Sequence, residues 1–447
     1  MRRPKGQHST RRGAAVLTGI LLLAGCTGTG GDAAPRITTP PSSGPDRCAE
    51  AVTSIVEAAQ TYVDNFGPLD PRGVPAPAPA APSPGPGTTP SPSPSETGTD
   101  GASGRFQDAL TTARTQLGQF GCDAAQTRLS LDKGLRTVRT QGPVAGAVLR
   151  QLTATITGTS EPSPTTRKVA AGDDLLEAVA QLPAGSTIEL GPGTHRVHDV
   201  VVLLSPLTIR GAGAGLTTLE SDVAEYAVVD IAAGVVSLRA LTLRHRGKEP
   251  ANVVLAGPTA SLVVTDAVLT GGVSSRDGTG GAGILMYDPD ARRKRTATTL
   301  EVTGSRFVDN GSGIVLTGGH IASIAASTFT GNDQCGVCFL DASGGSVQDS
   351  TFTGNAVGVA ATGTATPNVL RSTISGGQVG MQAGERSAPV VDDLQVTGSS
   401  RAALIWSGHA EGALRRVVCT GVKFGLVVGP DVAPTVRDSR CKVAPSG

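Results

Sequence analysis

The chain has 447 residues, enough for two or three domains, and a formal net charge of +1. That balance excludes a whole-protein field of the kind that draws a chain onto nucleic acid or an acidic surface. Aromatic residues are 3%, against 60 Gly and 30 Pro. The Gly-rich part is periodic and the Pro-rich part is not.

Residues 1–25 read as an export signal. Arg2, Arg3, Arg11 and Arg12 form a basic start, and the apolar stretch that follows is too short to span a bilayer. It closes on Leu23–Cys26, "LAGC", which resembles the lipobox of bacterial lipoproteins. The resemblance implies cleavage before Cys26 and lipidation of its sulfur, leaving the mature chain tethered to the membrane on its extracytoplasmic side. The stretch "STRRGAA" holds part of a twin-arginine signal, so the export route stays open.

Residues 26–46 are small and polar, a tether that cannot form a core. A helical domain is expected over 47–157. Val52, Ile55, Val56, Ala59, Tyr62, Val63 and Phe66 recur at helical spacing, and the pattern resumes at Phe106, Leu110, Ala113, Leu117 and Phe120. Between them a Pro-rich stretch, 74–104, should be an extended solvated loop. One or two further helices run to about Ile156, and 158–167 is a second linker. Cysteines other than Cys26 number six: Cys48, Cys122, Cys335, Cys338, Cys419 and Cys441. An even set in an exported chain suggests disulfides. Cys48 opens the first helix and Cys122 closes the second, so an antiparallel hairpin would bring them together. Such a bond contributes about 4 kcal/mol in the chain-entropy model.

From 168 to 447 the sequence changes character. "STFTGN" stands at Ser327–Asn332 and again at Ser350–Asn355. Anchored on Phe329 and Phe352, the equivalent positions are Phe307, Ile374, Val396, Cys419 and Cys441, spaced by 22 or 23 residues. Short strands such as "GIVL", "GVAA" and "GMQA" follow at the same interval. A period of this length with Gly and Asn turns marks a solenoid, in which one apolar position per turn stacks on its neighbours. The pattern resembles the right-handed parallel β-helix of the pectin-lyase-like superfamily. "LLEAVAQLPAGSTIELGPGTH" resembles the start of that fold, where an amphipathic helix plugs the end of the solenoid. The fold class expected is therefore mainly β, with a small disulfide-stapled helical domain in front. Cys419 and Cys441 occupy one position in consecutive turns, ~4.8 Å apart as strands stack, within disulfide reach. Cys335 and Cys338 form a CxxC, which suggests a local disulfide, redox work or a metal site. With no second CxxC, no βαβ context and no nearby His, the local disulfide is favoured.

Chemistry is expected where the period breaks. Leu269 to Phe307 is 38 residues against a turn of 22, and the excess splits into two insertions flanking "GAGILMY". One holds "SSRDGTGG" and the other "DPDARRKR". Loops on both sides of one strand would wall a groove. With Arg244, His245 and Arg246 of the preceding turn, the polar set is Asp277, Tyr287, Asp288, Asp290, Arg292 and Arg293. Asp288 and Asp290 would serve as paired carboxylates or Ca²⁺ ligands. Tyr287 or His245 would transfer a proton. Arg244, Arg246, Asp277, Arg292 and Arg293 would bind a uronate or phosphate-bearing polymer. "YDPD" resembles in part the Tyr and Asp-Pro-His-Asp signature of β-helical alginate epimerases, with the His missing. The plainer reading of this set is a charged, solvated loop.

Other motifs fall away. "GTGGAG" runs into a strand where a dinucleotide fold needs a helix. His320 and His409 lie four turns apart, ~19 Å at one strand spacing per turn, and cannot share a metal. Trp406 reads as core or as a surface stacking residue. The leading expectation is a lipid-anchored, monomeric protein that binds or scaffolds an envelope or extracellular polysaccharide, with no nucleic-acid partner. No cofactor is expected, Ca²⁺ being the one ion the carboxylates would suit. The alternative is a lyase, hydrolase or epimerase acting on acidic glycan. A metal-handling role is disfavoured by a total of three Met.

Overall fold

The computed structural model describes residues 45–66, 99–288, 298–430, 432 and 434–445. The signal segment, Cys26, the tether and most of the Pro-rich stretch lie outside the described residues, as do Asp290, Arg292 and Arg293.

Four helices come first: α1 (Pro45–Val63), α2 (Thr99–Gln119), α3 (Ala124–Leu135) and α4 (Pro143–Thr157). Helix α2 starts at Thr99, ahead of the helical periodicity that begins at Phe106. Extending a helix backwards from a packed turn adds one hydrogen bond per residue with no new nucleus, which offsets the cost of about 1 kcal/mol at each Gly. Ile55, Ala59 and Val63 pack with Phe106, Leu110, Leu131 and Leu135, and Cys48 is bonded to Cys122. Asp123 caps α3 by accepting from the Gln126 N–H at 2.7 Å.

The rest is a parallel β-helix. Each full turn supplies three strands, which form three outer faces, called A, B and C in chain order. Face C holds eleven strands, from Val201–Leu203 to Val443–Pro445. Faces A and B meet at a corner that takes one left-handed residue per turn, such as Asp266 (φ 51), Asp349 (φ 51) and Asp393 (φ 57). Asp tolerates that conformation better than most side chains. A fifth helix, α5 (Leu175–Gln181), capped by Asp174, buries Leu175 and Ala178 against the first turns and covers their open core.

The repeated hexapeptide has a separate physical reason for each position. Phe329 and Phe352 point inward; Phe329 stacks on Phe307 at a centroid distance of 4.9 Å and on Phe352 at 4.7 Å. The flanking Thr residues point outward. Ser327 and Ser350 turn inward at the corner, where each hydroxyl accepts from the backbone N–H of the equivalent Ser one turn earlier, at 3.3 Å. Asn332 and Asn355 continue a buried ladder. The Asn310 amide donates to Asn332 at 3.2 Å and Asn332 donates to Asn355 at 2.7 Å. Gly331 and Gly354 take the left-handed conformation that lets the chain turn into the ladder. The Gly at the second position of the face C strands from Ala282–Met286 to Val379–Ala383 is set by space. A Cβ on Gly313 or Gly336 would lie 2.7 or 2.5 Å from the ring of Phe329 or Phe352. The observed register pairs Phe307, Phe329, Phe352, Ile374, Val396 and Cys419 in one column, the column read from the spacing. Cys419 is bonded to Cys441 and Cys335 to Cys338. Trp406 is fully buried.

The helical region lies on the outer side of face C. Val148 and Leu152 of α4 share one core with Val202, Leu255 and Leu285, which point out from three face C strands. Among the described residues no helix is long and apolar enough to cross a membrane.

Candidate anion-binding site

Arg244 and Arg246 belong to a cluster on face B built around Glu220. The strands Gly193–Val197, Thr217–Ser221 and Thr242–His245 stack so that Arg196, Glu220 and Arg244 stand in register, all outward. Arg196 donates to Glu220 Oε1 from Nε at 3.0 Å and from Nη2 at 2.8 Å. Arg246, from the corner after its strand, donates to the same oxygen at 3.1 Å. Arg244 Nε lies 3.8 Å from Oε2. The Glu220 side chain is 4% exposed, while the three Arg side chains are 45–53% exposed. Burial pushes the Glu220 carboxyl up, but hydrogen bonds and charge from Arg196 and Arg246 outweigh it and hold it below the ordinary carboxylate range. One anion therefore fixes three cations, with two formal positive charges left over at the surface.

The other predicted residues fall in three places. His245 is buried, with Nε2 2.9 Å from the Val223 carbonyl and Nδ1 3.1 Å from that of Gly271, which ties three consecutive turns together. Asp277 is exposed and accepts from Ser275, from the Thr279 hydroxyl at 2.8 Å and from the Thr279 N–H at 3.1 Å. The Ser275 and Thr279 bonds hold its carboxyl down to about 2. The Asp277 loop is pinned to the turn after next by Gln334, which donates to the Gly278 carbonyl at 2.7 Å. Asp288 is buried at the other end of the strand Ala282–Met286, its N–H donating to the Thr317 hydroxyl at 2.9 Å. Beside it lies His320, fully buried, with Nδ1 2.9 Å from Thr298 Oγ1. Burial lowers the His320 pKa, opposed by the Tyr287 backbone and the Asp288 charge.

The strand between Asp277 and Asp288 is not an open groove floor. Its outward residue Leu285 is buried in the core shared with the helices, and Tyr287 packs against that core. The structure thus joins Arg244 to Arg246, and Tyr287 to Asp288 and His320, but places Asp277 and His245 elsewhere. Sequence reasoning missed Arg196 and Glu220. The signal was available: positions 196, 220 and 244 are spaced by 24 twice, one residue after an anchor each time.

Residues 282–410 match the family described as "Right handed beta helix region". Comparison with curated proteins gives no match. Among solved structures the chain is similar to ORF18 of Geobacillus virus E2 (10% identity, TM-score 0.42), covering 71% of this chain and 64% of that one. It is also similar to the Streptococcus pneumoniae surface protein and adhesin PfbA (9%, TM-score 0.39; 58% of this chain, 91% of that one). A third is the A-module of the Azotobacter vinelandii mannuronan C-5 epimerase AlgE6 (15%, TM-score 0.33; 59% and 92%). They give this chain no ligand and no reaction.

Proposed function

We propose that this protein is a membrane-anchored, extracytoplasmic β-helix lipoprotein that binds or scaffolds an anionic polysaccharide through Arg196, Arg244 and Arg246. The observation that carries the reading is the fixing of three guanidinium groups around one buried carboxylate. Free arginines lose rotamer entropy when they clasp a ligand, whereas these are held in place at folding. Their outer N–H groups face solvent, those of Arg196 and Arg244 two strand spacings apart, which suits carboxylates or phosphates repeated along a polymer. Tethering through Cys26 would hold the solenoid against the cell envelope.

The test is binding of the soluble chain to immobilised uronate and phosphate-bearing glycans across a salt series. Affinity should fall with ionic strength, and Arg196→Ala with Arg244→Ala should lower it by about tenfold or more. Binding that ignores both salt and these substitutions, or no binding to any anionic glycan, overturns the reading. Membrane fractionation of Cys26→Ala tests the tether independently: the variant should leave the membrane fraction.

A further inference from the structure

The floor beneath the helices contains one carboxyl group. In register across neighbouring turns, the outward positions of face C are Val202, Asp230, Leu255, Leu285 and Val315. Four are apolar, and three of these are buried in the core shared with α4. Asp230 is 3% exposed, and its one hydrogen bond among the described residues comes from the Tyr226 hydroxyl at 2.9 Å. Few groups nearby carry charge. The strands Val201–Leu203 and Asn252–Ala256 on either side have no titratable side chain. The one charged residue of α4 is Arg150, which pairs with Asp199 at 3.5 Å. Glu50 and Glu57 of α1 are exposed, as is Glu225 beside Tyr226.

We propose that Asp230 is an acid-sensitive latch between the helical region and the solenoid: protonated, it lets α4 close over face C, and ionised, it loosens that contact and uncovers the apolar row. An ionised carboxylate in an apolar interface with a single neutral donor is poorly solvated, whereas the neutral acid is tolerated. Burial pushes the Asp230 carboxyl up to about 6, against the opposing bond from Tyr226. Burial, followed by the Asp230 charge, raises Tyr226, so the phenol stays a donor. When the helices lift away, Asp230 meets water and returns toward its ordinary value of 3.8. Docking then takes up a proton between those values. It is tightest below the lower one and weakens as pH rises through about 6. Two units of difference correspond to about a hundredfold in the docking equilibrium.

Amide hydrogen exchange on the full chain, corrected for intrinsic rates, tests the latch at α4 and along the face C row. Protection of α4 should fall about tenfold between about pH 5 and about pH 7.5, while the Phe329–Phe352 strands stay constant. Asp230→Asn should abolish that pH dependence. Tyr226→Phe, which removes the opposing donor, should move the midpoint upward. Equal protection of α4 at both pH values, or a pH dependence that survives in Asp230→Asn, overturns the proposal. If Asp230→Asn does not fold, the wild-type profile and the direction of the Tyr226→Phe shift decide the matter.

Discussion

The first turns of the solenoid and the later ones are built by the same chain rule but satisfy their polar groups differently. From Thr299 to Thr420 the turns repeat at 22 or 23 residues. Ser and Asn ladders run through their corners, and mostly Thr and Ser project from face B. Up to Met286 the turns are longer, face B carries the Arg196–Glu220–Arg244 network, and face C lies beneath the helices. The later turns are optimised for stacking on copies of themselves. The earlier ones hold charges and a docking surface, features that a strict repeat cannot place at one turn without placing them at all.

The sharpest way to break the comparison is in the later turns. Phe329→Ala removes the middle ring of the stack and should cost about 3–5 kcal/mol. Thr353→Ala, on the outside of the neighbouring strand, should stay within about 0.5 kcal/mol. Chemical denaturation of both variants checks this, and comparable losses would mean that the stack is not the core. Asn332→Ala comes next, at about 1–3 kcal/mol, because it strips Asn310 of an acceptor and removes the amide that donates to Asn355 and to the Phe307 carbonyl. Its effect should appear as faster exchange in the turns on both sides of the gap.

The smallest expected effect lies in the early turns. Glu220→Gln leaves three half-exposed arginines unneutralised and should cost about 1 kcal/mol at neutral pH, since solvent screens them. The wild-type carboxyl is held below its ordinary value of 4.5. Its stabilisation is therefore present above that value and lost as pH falls through the folded pKa. Denaturation midpoints of the two proteins should converge as the pH falls below the ordinary carboxylate range. A gap that persists under acid would show that Glu220 acts through packing and not through charge.

Most of the architecture was legible in the sequence because a solenoid turns distance along the chain into contact in space. Phe329 meets Phe352 because each turn closes onto its predecessor after a near-constant number of residues, so a spacing of 23 is already a contact. The same rule brought Cys419 to Cys441, and helical periodicity brought Cys48 to Cys122. The candidate site was half legible. Arg244 and Arg246 stood out as charges, but Glu220 looked like one acidic residue among many until the strand register set it between Arg196 and Arg244. Only the tertiary structure decided that the helices share a core with Leu255 and Leu285, and that Asp230, in register with them, is buried. Helix and sheet meet there through pairs of residues that occur once in the chain. An apolar face shows that it must be covered, while the choice of cover depends on shapes and loop lengths that no repeat encodes.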